Sequence, residues 1–502
     1  MLDERTYGIL LPIFSLPSPT GIGDLGPDAY NFADFLEKAG AGVWQILPVN
    51  ETSPVMGHSP YSSNSAFAAN PLLISPERLK QDGLLTDSDL ADIPDFNSDE
   101  VEYDRVAEYK NKLLEIACDN FLKRGERKEF HNFCRDNAFW LDDYALYTIL
   151  KKKHDRKPWY DWPGPYRDRD TTIMNKARNE LADQIERQKV YQYFFLTQWR
   201  ALKSYCNERK VKFFGDIPIY VNSDSSDTWS NQSLFKLGPD KRPAKLAGVP
   251  PDYFSKTGQL WGNPVYNWEI LKENNFEWWI KRLHHMFTLY DVLRIDHFRG
   301  LIAYWEIPAG AKTAENGTWI PVPHKEFFET VQKTFDGAPI VAEDLGTITE
   351  EVIEVRDKYR FPGMKILQFA FGTDDPKHAY LPHNYKENFI VYTGTHDNNT
   401  VRGWFEHEAR PADKKRLDQY TGQTVTAGNV HTVLMRMALA SVARWAVLPL
   451  QDVLGLGKEA RLNLPASGNG NWKWRAPKKT LTPQLAENLR NLARIYRRII
   501  EP

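Results

Sequence analysis

Cysteine is nearly absent: Cys118, Cys134 and Cys206 are the only three in 502 residues. They are odd in number and contain no C-x-x-C pair, so they can build neither a disulfide framework nor a zinc ribbon, and a reducing compartment is expected. Long apolar runs are missing too. The most apolar stretch, residues 437–450, is broken by Arg444 and Pro449 and cannot supply the roughly 20 apolar residues of a membrane span. Near the N-terminus the run Ile9 to Leu11 meets Pro12 too early for the core of a signal peptide. The expected location is cytoplasmic, with no membrane partner. Neither sign of charge is in excess, with 64 Lys and Arg against 66 Asp and Glu, which excludes the basic footprint of a nucleic-acid binder and favours a neutral partner.

Several chemistries lack their motifs. There is no H-x-x-x-H or H-E-x-x-H, and the adjacent His284 and His285 cannot share a helix face, so no metal site is expected. A P-loop and a G-x-S-x-G elbow are absent. One G-x-G-x-x-G match, Gly21 to Gly26, does not directly follow a strand as a dinucleotide site requires; it reads as a turn ahead of a helix beginning near Asp28. No cofactor is expected.

Aromatics are plentiful: 16 Trp, 23 Tyr and 26 Phe make up 13% of the chain. Eight short β-branched runs stand out: Tyr7 to Leu11, Val43 to Leu47, Phe213 to Ile219, Val292 to Phe298, Pro339 to Leu345, Met364 to Phe369, Phe389 to Thr393 and Trp445 to Leu450. Their alternation with helical stretches implies parallel strands, and eight such strands close a (β/α)8 TIM barrel. The expected fold class is therefore α/β, a barrel with inserted, largely helical subdomains. The gap from Leu47 to Phe213 is too long for one crossover, so residues 76–206 are assigned to an inserted, largely helical subdomain and residues 1–75 and 207–502 to the barrel. Within that insert, Val106, Tyr109, Leu113 and Ile116 recur as one helix face, and the charge runs Lys151 to Lys153 and Arg167 to Asp170 read as solvated. A second gap, about 220–290, mixes turn formers with aromatics, as in Gly258-Gln-Leu-Trp-Gly-Asn-Pro264; it reads as a loop insertion offering substrate surface.

The fourth run contains Arg294-Ile-Asp296-His297. A two-residue period sets Arg294 and Asp296 on one face, about 6.6 Å apart, with His297 on the other. The positive neighbour keeps Asp296 ionised, as a nucleophile requires; a structural Arg–Asp pair has the same pattern. The fifth and seventh runs also end in acids, at Glu343-Asp344 and His396-Asp397-Asn398. Asp344 and Asn398 look like caps of the following helices. Three acids at strand ends that converge on one pocket suggest glycoside chemistry, in which one carboxylate attacks the anomeric carbon and another protonates the leaving oxygen.

These segments, together with Gly21-Ile-Gly-Asp-Leu-Gly26, Ser59-Pro-Tyr-Ser62, Gly215-Asp-Ile-Pro-Ile-Tyr-Val221, Ala247-Gly-Val-Pro-Pro-Asp-Tyr-Phe254, Gly258 to Pro264 and Gly470-Asn-Trp-Lys-Trp-Arg475, resemble the 4-α-glucanotransferase branch of the α-amylase superfamily over nearly the whole chain. The resemblance implies Asp296 as nucleophile, Glu343 as general acid and then base, and Asp397 as the residue holding the sugar 2- and 3-hydroxyls. It further implies that Arg294, His297, His396 and Asp216 line the same glucose subsite. Tyr61, Tyr253, Phe254, Gln259, Trp261 and Asn463 look like glucan contacts. The implied partners are α-1,4-glucans and malto-oligosaccharides, acting on a monomer or weak homo-oligomer. One departure is Ala466 after Pro465, where the family usually has glycine. An α-glucan hydrolase with the same acids, and a non-catalytic glucan-binding barrel, are the alternatives; the presence of all three acids weighs against the second. Of the aromatics, Trp472 and Trp474 are read as packing and Trp261 as contact.

Overall fold

The computed structural model describes residues 4–125, 127–251, 255–465, 467 and 470–500. In chain order the described strands are β1 (Thr6–Leu10), β2 (Val43–Gln45), β3 (Lys212–Ile217), β4 (Lys245–Val249), β5 (Gln259–Pro264), β6 (Val292–Ile295), β7 (Ala303–Pro308), β8 (Thr318–Pro321), β9 (Ile340–Ala342), β10 (Gly363–Ile366), β11 (Phe389–Tyr392) and β12 (Trp445–Pro449). The eight β-branched runs of the sequence all become strands. They form one parallel sheet in the order β10-β11-β12-β1-β2-β3-β6-β9, with almost every residue buried, as a sheet covered on both faces requires. The two end strands meet and close a (β/α)8 barrel. Ala342 N donates to Pro362 O at 2.9 Å, and Met364 N donates to the Asp344 carboxylate at 2.7 Å.

That contact corrects one expectation. Asp344 does not cap the next helix, Glu350–Lys358, whose N-cap is Thr349; it closes the barrel seam. Asn398 is not a cap either. Its Oδ1 accepts from Thr395 N and Oγ1 at 2.8 and 2.9 Å, while Thr400 caps the helix Val401–His407 through Gly403 N. Nor does a helix follow every strand: β10 and β11 are joined by 3-10 turns at Leu367–Phe369 and Pro382–Asn384.

Between β2 and β3 the chain is largely helical, ending in the helix Ala182–Glu208 that leads directly into β3. In the helix Tyr103–Leu122 the buried face runs through Val106, Lys110, Leu113, Ala117 and Phe121, and Ile116 is exposed. An apolar pattern could not find Lys110, which is buried because its ammonium donates to Asp24 (2.9 Å) and to Leu72 O (2.7 Å). The predicted solvated charge runs also do structural work. Lys151 bonds Asp224 in the loop after β3, and Arg169 pairs with Asp143 while lying 4.2 Å from the Trp229 ring centroid.

The segment read as loops at 220–290 holds half of a second, antiparallel sheet in the order β5-β4-β7-β8. Of its first two strands, β5 ends in Gly262-Asn-Pro264 and β4 contains Gly248, and their ladder carries a register shift between Leu246 and Gly248, so no two-residue hydrophobic period betrays them. Gly248 is required there, since a β-carbon would stand 2.2 Å from Gln259 O. The sheet is tied to the end of β3 by Asn263 Nδ2 to Val221 O (2.9 Å) and by Tyr266 OH to Ile219 O (2.7 Å). Much of the aromatic excess is core: Trp44, Trp159, Trp199, Trp229, Trp279 and Trp445 are all fully buried. The three cysteines are free thiols. Among the described residues no helix is long and apolar enough to cross a membrane.

Candidate active site

The site grows from the register of β3 on β6, which sets Asp216 beside Arg294. Both side chains are buried, and the guanidinium forks between two acids: Nη1 donates to Asp216 Oδ2 at 2.6 Å and Nη2 to Asp296 Oδ1 at 2.8 Å. Burial works against the arginine charge, but Asp216 and Asp296 outweigh it and hold Arg294 above its ordinary pKa. A fixed cation therefore stands beside Asp296 at every accessible pH. Asp296 itself is 31% exposed, open to a ligand on one side and clamped on the other.

Glu343 follows β9, the next strand around the barrel. Its two oxygens accept backbone N–H groups, Oε2 from His297 (2.7 Å) and Oε1 from Leu345 (2.8 Å). Burial dominates its titration and, with help from the charge of Asp296, pushes the carboxyl up to about 8 despite the opposing pull of Arg294 and of the two N–H groups. At neutral pH the pair is thus split, one acid neutral and one held beside a cation, as acid–base catalysis by two carboxyls demands.

Tyr61 joins this cluster to the end of β11. Its hydroxyl donates to Asp216 Oδ2 (2.7 Å) and lies 2.8 Å from His396 Nε2. A hydroxyl has one proton, so the imidazole must carry its own on Nε2 to donate to the tyrosine oxygen. The Tyr61 ring stacks on His396 with centroids 5.2 Å apart and is backed by the buried Trp472 at 5.8 Å; Trp472 does pack, and what it packs is the site. Asp397, 44% exposed, has Oδ2 3.4 Å from His396 Nε2 and Oδ1 accepting from Asn463 Nδ2 at 2.6 Å. Arg461 was missed by the sequence reading although it sits two residues before Asn463; it donates to the Asp397 carbonyl at 2.9 Å. Asp452, in the short helix Leu450–Val453 that follows β12, carries no sequence signal either. It accepts from Thr393 Oγ1 (2.6 Å) and Val401 N (2.7 Å), bracketing the loop that bears His396 and Asp397.

His297 departs from its expected orientation. The strand ends at Ile295 and His297 has φ +52°, so the two-residue period no longer applies and the ring turns to meet Trp261, edge to face at 4.9 Å. Gly300 makes room, since a β-carbon there would lie 2.9 Å from the ring. Burial pushes the imidazole down to about 4, and Nε2 has no protein partner. Trp261 and Gln259 come from β5 and are linked by an indole N–H to amide oxygen bond of 3.2 Å. The expected contacts Tyr253 and Phe254, and the departure at Ala466, lie outside the described residues. Among the described residues no group of three or more His, Cys, Asp or Glu is arranged to hold a metal ion.

Comparison with known proteins finds matches over nearly the whole chain. A family described as 4-alpha-glucanotransferase matches residues 11–481. The 4-alpha-glucanotransferase of Aquifex aeolicus is 45% identical over 494 residues, covering 98% of this chain and 99% of that one. The chloroplastic/amyloplastic 4-alpha-glucanotransferase of Solanum tuberosum is 40% identical, covering 99% and 87%. Among solved structures, amylomaltase from Streptococcus agalactiae in complex with acarbose superposes with a TM-score of 0.95 at 38% identity, covering 99% and 100% of the two chains.

Proposed function

As a member of the 4-alpha-glucanotransferase family, the chain is an enzyme, and we propose that it moves α-1,4-glucan segments between malto-oligosaccharides by a retaining double displacement. In the first step an Asp296 oxygen attacks the anomeric carbon, the bond to the leaving glucan breaks, and the proton of Glu343 passes to the departing oxygen. In the second, the 4-hydroxyl oxygen of an incoming sugar attacks the same carbon, Glu343 takes the hydroxyl proton, and the bond to Asp296 breaks. Two inversions retain the α configuration.

The observation that carries this reading is the split environment of neighbouring acids: Asp296 clamped by Arg294 and Glu343 buried and raised to about 8. Arg294 engages Oδ1 of Asp296, which leaves Oδ2 for attack. Asp397, fixed by Asn463 and close to His396, is suited to gripping the 2- and 3-hydroxyls as the ring flattens. Tyr61 and Trp261 offer flat apolar faces to pyranose rings, and the neutral His297 offers Nε2 to a hydroxyl. Asp216 acts through Arg294 and Tyr61. Tyr253, Phe254 and Gln259 are assigned to glucan on either side of the cleaved bond. Transfer exceeds hydrolysis if a bound sugar reaches the intermediate before water does.

Incubation with pure maltotriose tests the reading. Transfer yields glucose together with maltopentaose and longer chains, with little net gain in reducing ends. A steady rise in reducing ends identifies a hydrolase, and unchanged sugar contradicts catalysis altogether.

A further inference from the structure

The turns that follow β6 and β9 carry Asp296 and Glu343, and they are laced together. Glu343 N donates to Ile295 O and Phe298 N to Glu343 O, both at 3.2 Å, while the Glu343 carboxyl takes His297 N and Leu345 N as its donors. The carboxyl is therefore aimed by backbone groups, one from each turn.

The two turns are not held alike. The first, the 3-10 turn Phe298–Leu301, is buried. It closes on itself through Gly300 N to His297 O (2.8 Å) and Ile302 N to Arg299 O (2.9 Å), and Val322 N, just past β8, donates to Ile302 O at 2.8 Å. The second is exposed at Gly346 and Thr347, and Gly346 has φ +82°, a left-handed backbone that favours glycine. Among the described residues, one hydrogen bond reaches its tip, 346–348, from elsewhere in the chain: Arg299 Nη1 donates to Thr347 O.

Arg299 is itself fixed by the second sheet. Its Cζ lies over the Trp319 ring, 3.7 Å from the centroid, within the range of a cation–π pair. Trp319, on β8, stands edge-on to Trp305 of β7 at 5.3 Å, and the Trp305 indole N–H donates to Ala314 O at 2.8 Å. Arg299 is buried, and its Nε has no protein partner. Burial outweighs the pull of Glu351 and holds the guanidinium below its ordinary pKa. Burying a cation on these terms works against stability. What the arginine supplies in return is a clasp between the two acid-bearing turns.

We infer that Arg299 is a positioning residue for the general acid: stacked on Trp319, it clasps the turn after Glu343 and so fixes the Leu345 N–H that aims the carboxyl at the departing oxygen. The inference rests on the acid role proposed above for Glu343. Arg299 itself moves no proton.

Two donors that differ in leaving group test the clasp in the full-length enzyme. Departure of a sugar from maltotriose needs the Glu343 proton. Departure of fluoride from α-maltosyl fluoride does not, and kcat/KM for fluoride release covers no step beyond that departure. Arg299→Met should lower kcat/KM for maltotriose about tenfold and that for fluoride release less than about twofold. Arg299→Lys, which keeps the charge and one donor, should recover part of the maltotriose rate. Trp319→Leu removes the platform and should show the same selectivity, which keeps the test open should Arg299→Met not fold. An equal fall on both donors would make Arg299 a general support of the fold, and no fall on either would show that the turn holds without it. Each overturns the clasp and leaves the catalytic reading standing. Glu343→Gln is the control: should it lose fluoride release as fully as maltotriose turnover, the acid role falls and the inference with it.

Discussion

Two arginines are buried at opposite ends of the barrel, and their partners differ in kind. At the ends where the strands finish, Arg294 is held between the carboxylates of Asp216 and Asp296. At the ends where they begin, Arg498 is fully buried and gives its donors to neutral carbonyls, among them Leu439 O (2.7 Å), Thr6 O (2.9 Å) and Ala443 O (2.7 Å). Carboxylates hold Arg294 above its ordinary pKa, whereas burial, with no anion to oppose it, pushes Arg498 down to about 9. Arg498 ties the C-terminal segment to β1 and to the chain entering β12, and its donors are used up in doing so. The Arg294 cluster keeps spare capacity, with Asp216 Oδ1, Arg294 Nε, His297 Nε2 and His396 Nδ1 buried without partners. Equal burial therefore serves stability at one end and chemistry at the other.

Substitutions at each end sharpen that contrast. The largest effect belongs to Glu343→Gln, which should lower kcat about 10³-fold without lowering Tm; a folded variant with near-normal turnover would break the contrast at once. Arg498→Met should do the reverse. Leaving buried carbonyls unpaired costs about 3 kcal/mol, seen as a Tm lower by a few degrees, while kcat per folded molecule is unchanged; a fall in kcat at constant Tm would show the lower end to be coupled to the chemistry. Asn463→Ala removes the 2.6 Å bond to Asp397 and should reduce kcat/KM about tenfold, with Tm nearly constant.

The smallest effect is in pH-dependent stability. Because Glu343 is raised from about 4.5 to about 8 in the fold, the folded chain keeps a proton that the unfolded chain releases near pH 4.5. Its contribution is intact below that point and is lost as pH climbs toward 8. The Tm of Glu343→Gln should match the parent near pH 4 and exceed it by a few degrees at pH 8; equal values at both would contradict the raised carboxyl.

The sequence made the catalytic end readable because Asp296 and Glu343 each end an apolar run at the point where a parallel strand must stop, and Asp397 follows a third such run by five residues. The lower end was unreadable. Arg498 sits in a basic C-terminal segment that resembles any solvated helix end, and its partners are backbone carbonyls, which carry no side-chain signature. The same blindness hid the Lys110–Asp24 pair, whose members are 86 residues apart, and the β4–β5 ladder, whose pattern is broken by a bulge at Leu246–Gly248 and by Gly262-Asn-Pro264. Asp344 was misread for a related reason: a helix cap and a seam-closing carboxylate look alike until the edges of the barrel meet. His297 could be assigned to the site only by resemblance, since a two-residue period cannot anticipate a left-handed turn after Ile295.

The most direct measurement of the central claim is mass spectrometry of the Glu343→Gln enzyme after exposure to an α-maltosyl fluoride whose terminal 4-hydroxyl has been removed. Fluoride leaves without a proton and the sugar cannot act as acceptor, so a glycosyl-enzyme should accumulate. The account predicts one added disaccharide on the peptide containing Asp296, lost in Asp296→Asn. Fluoride release with no adduct in the intact nucleophile background, or an adduct on any other residue, would contradict it.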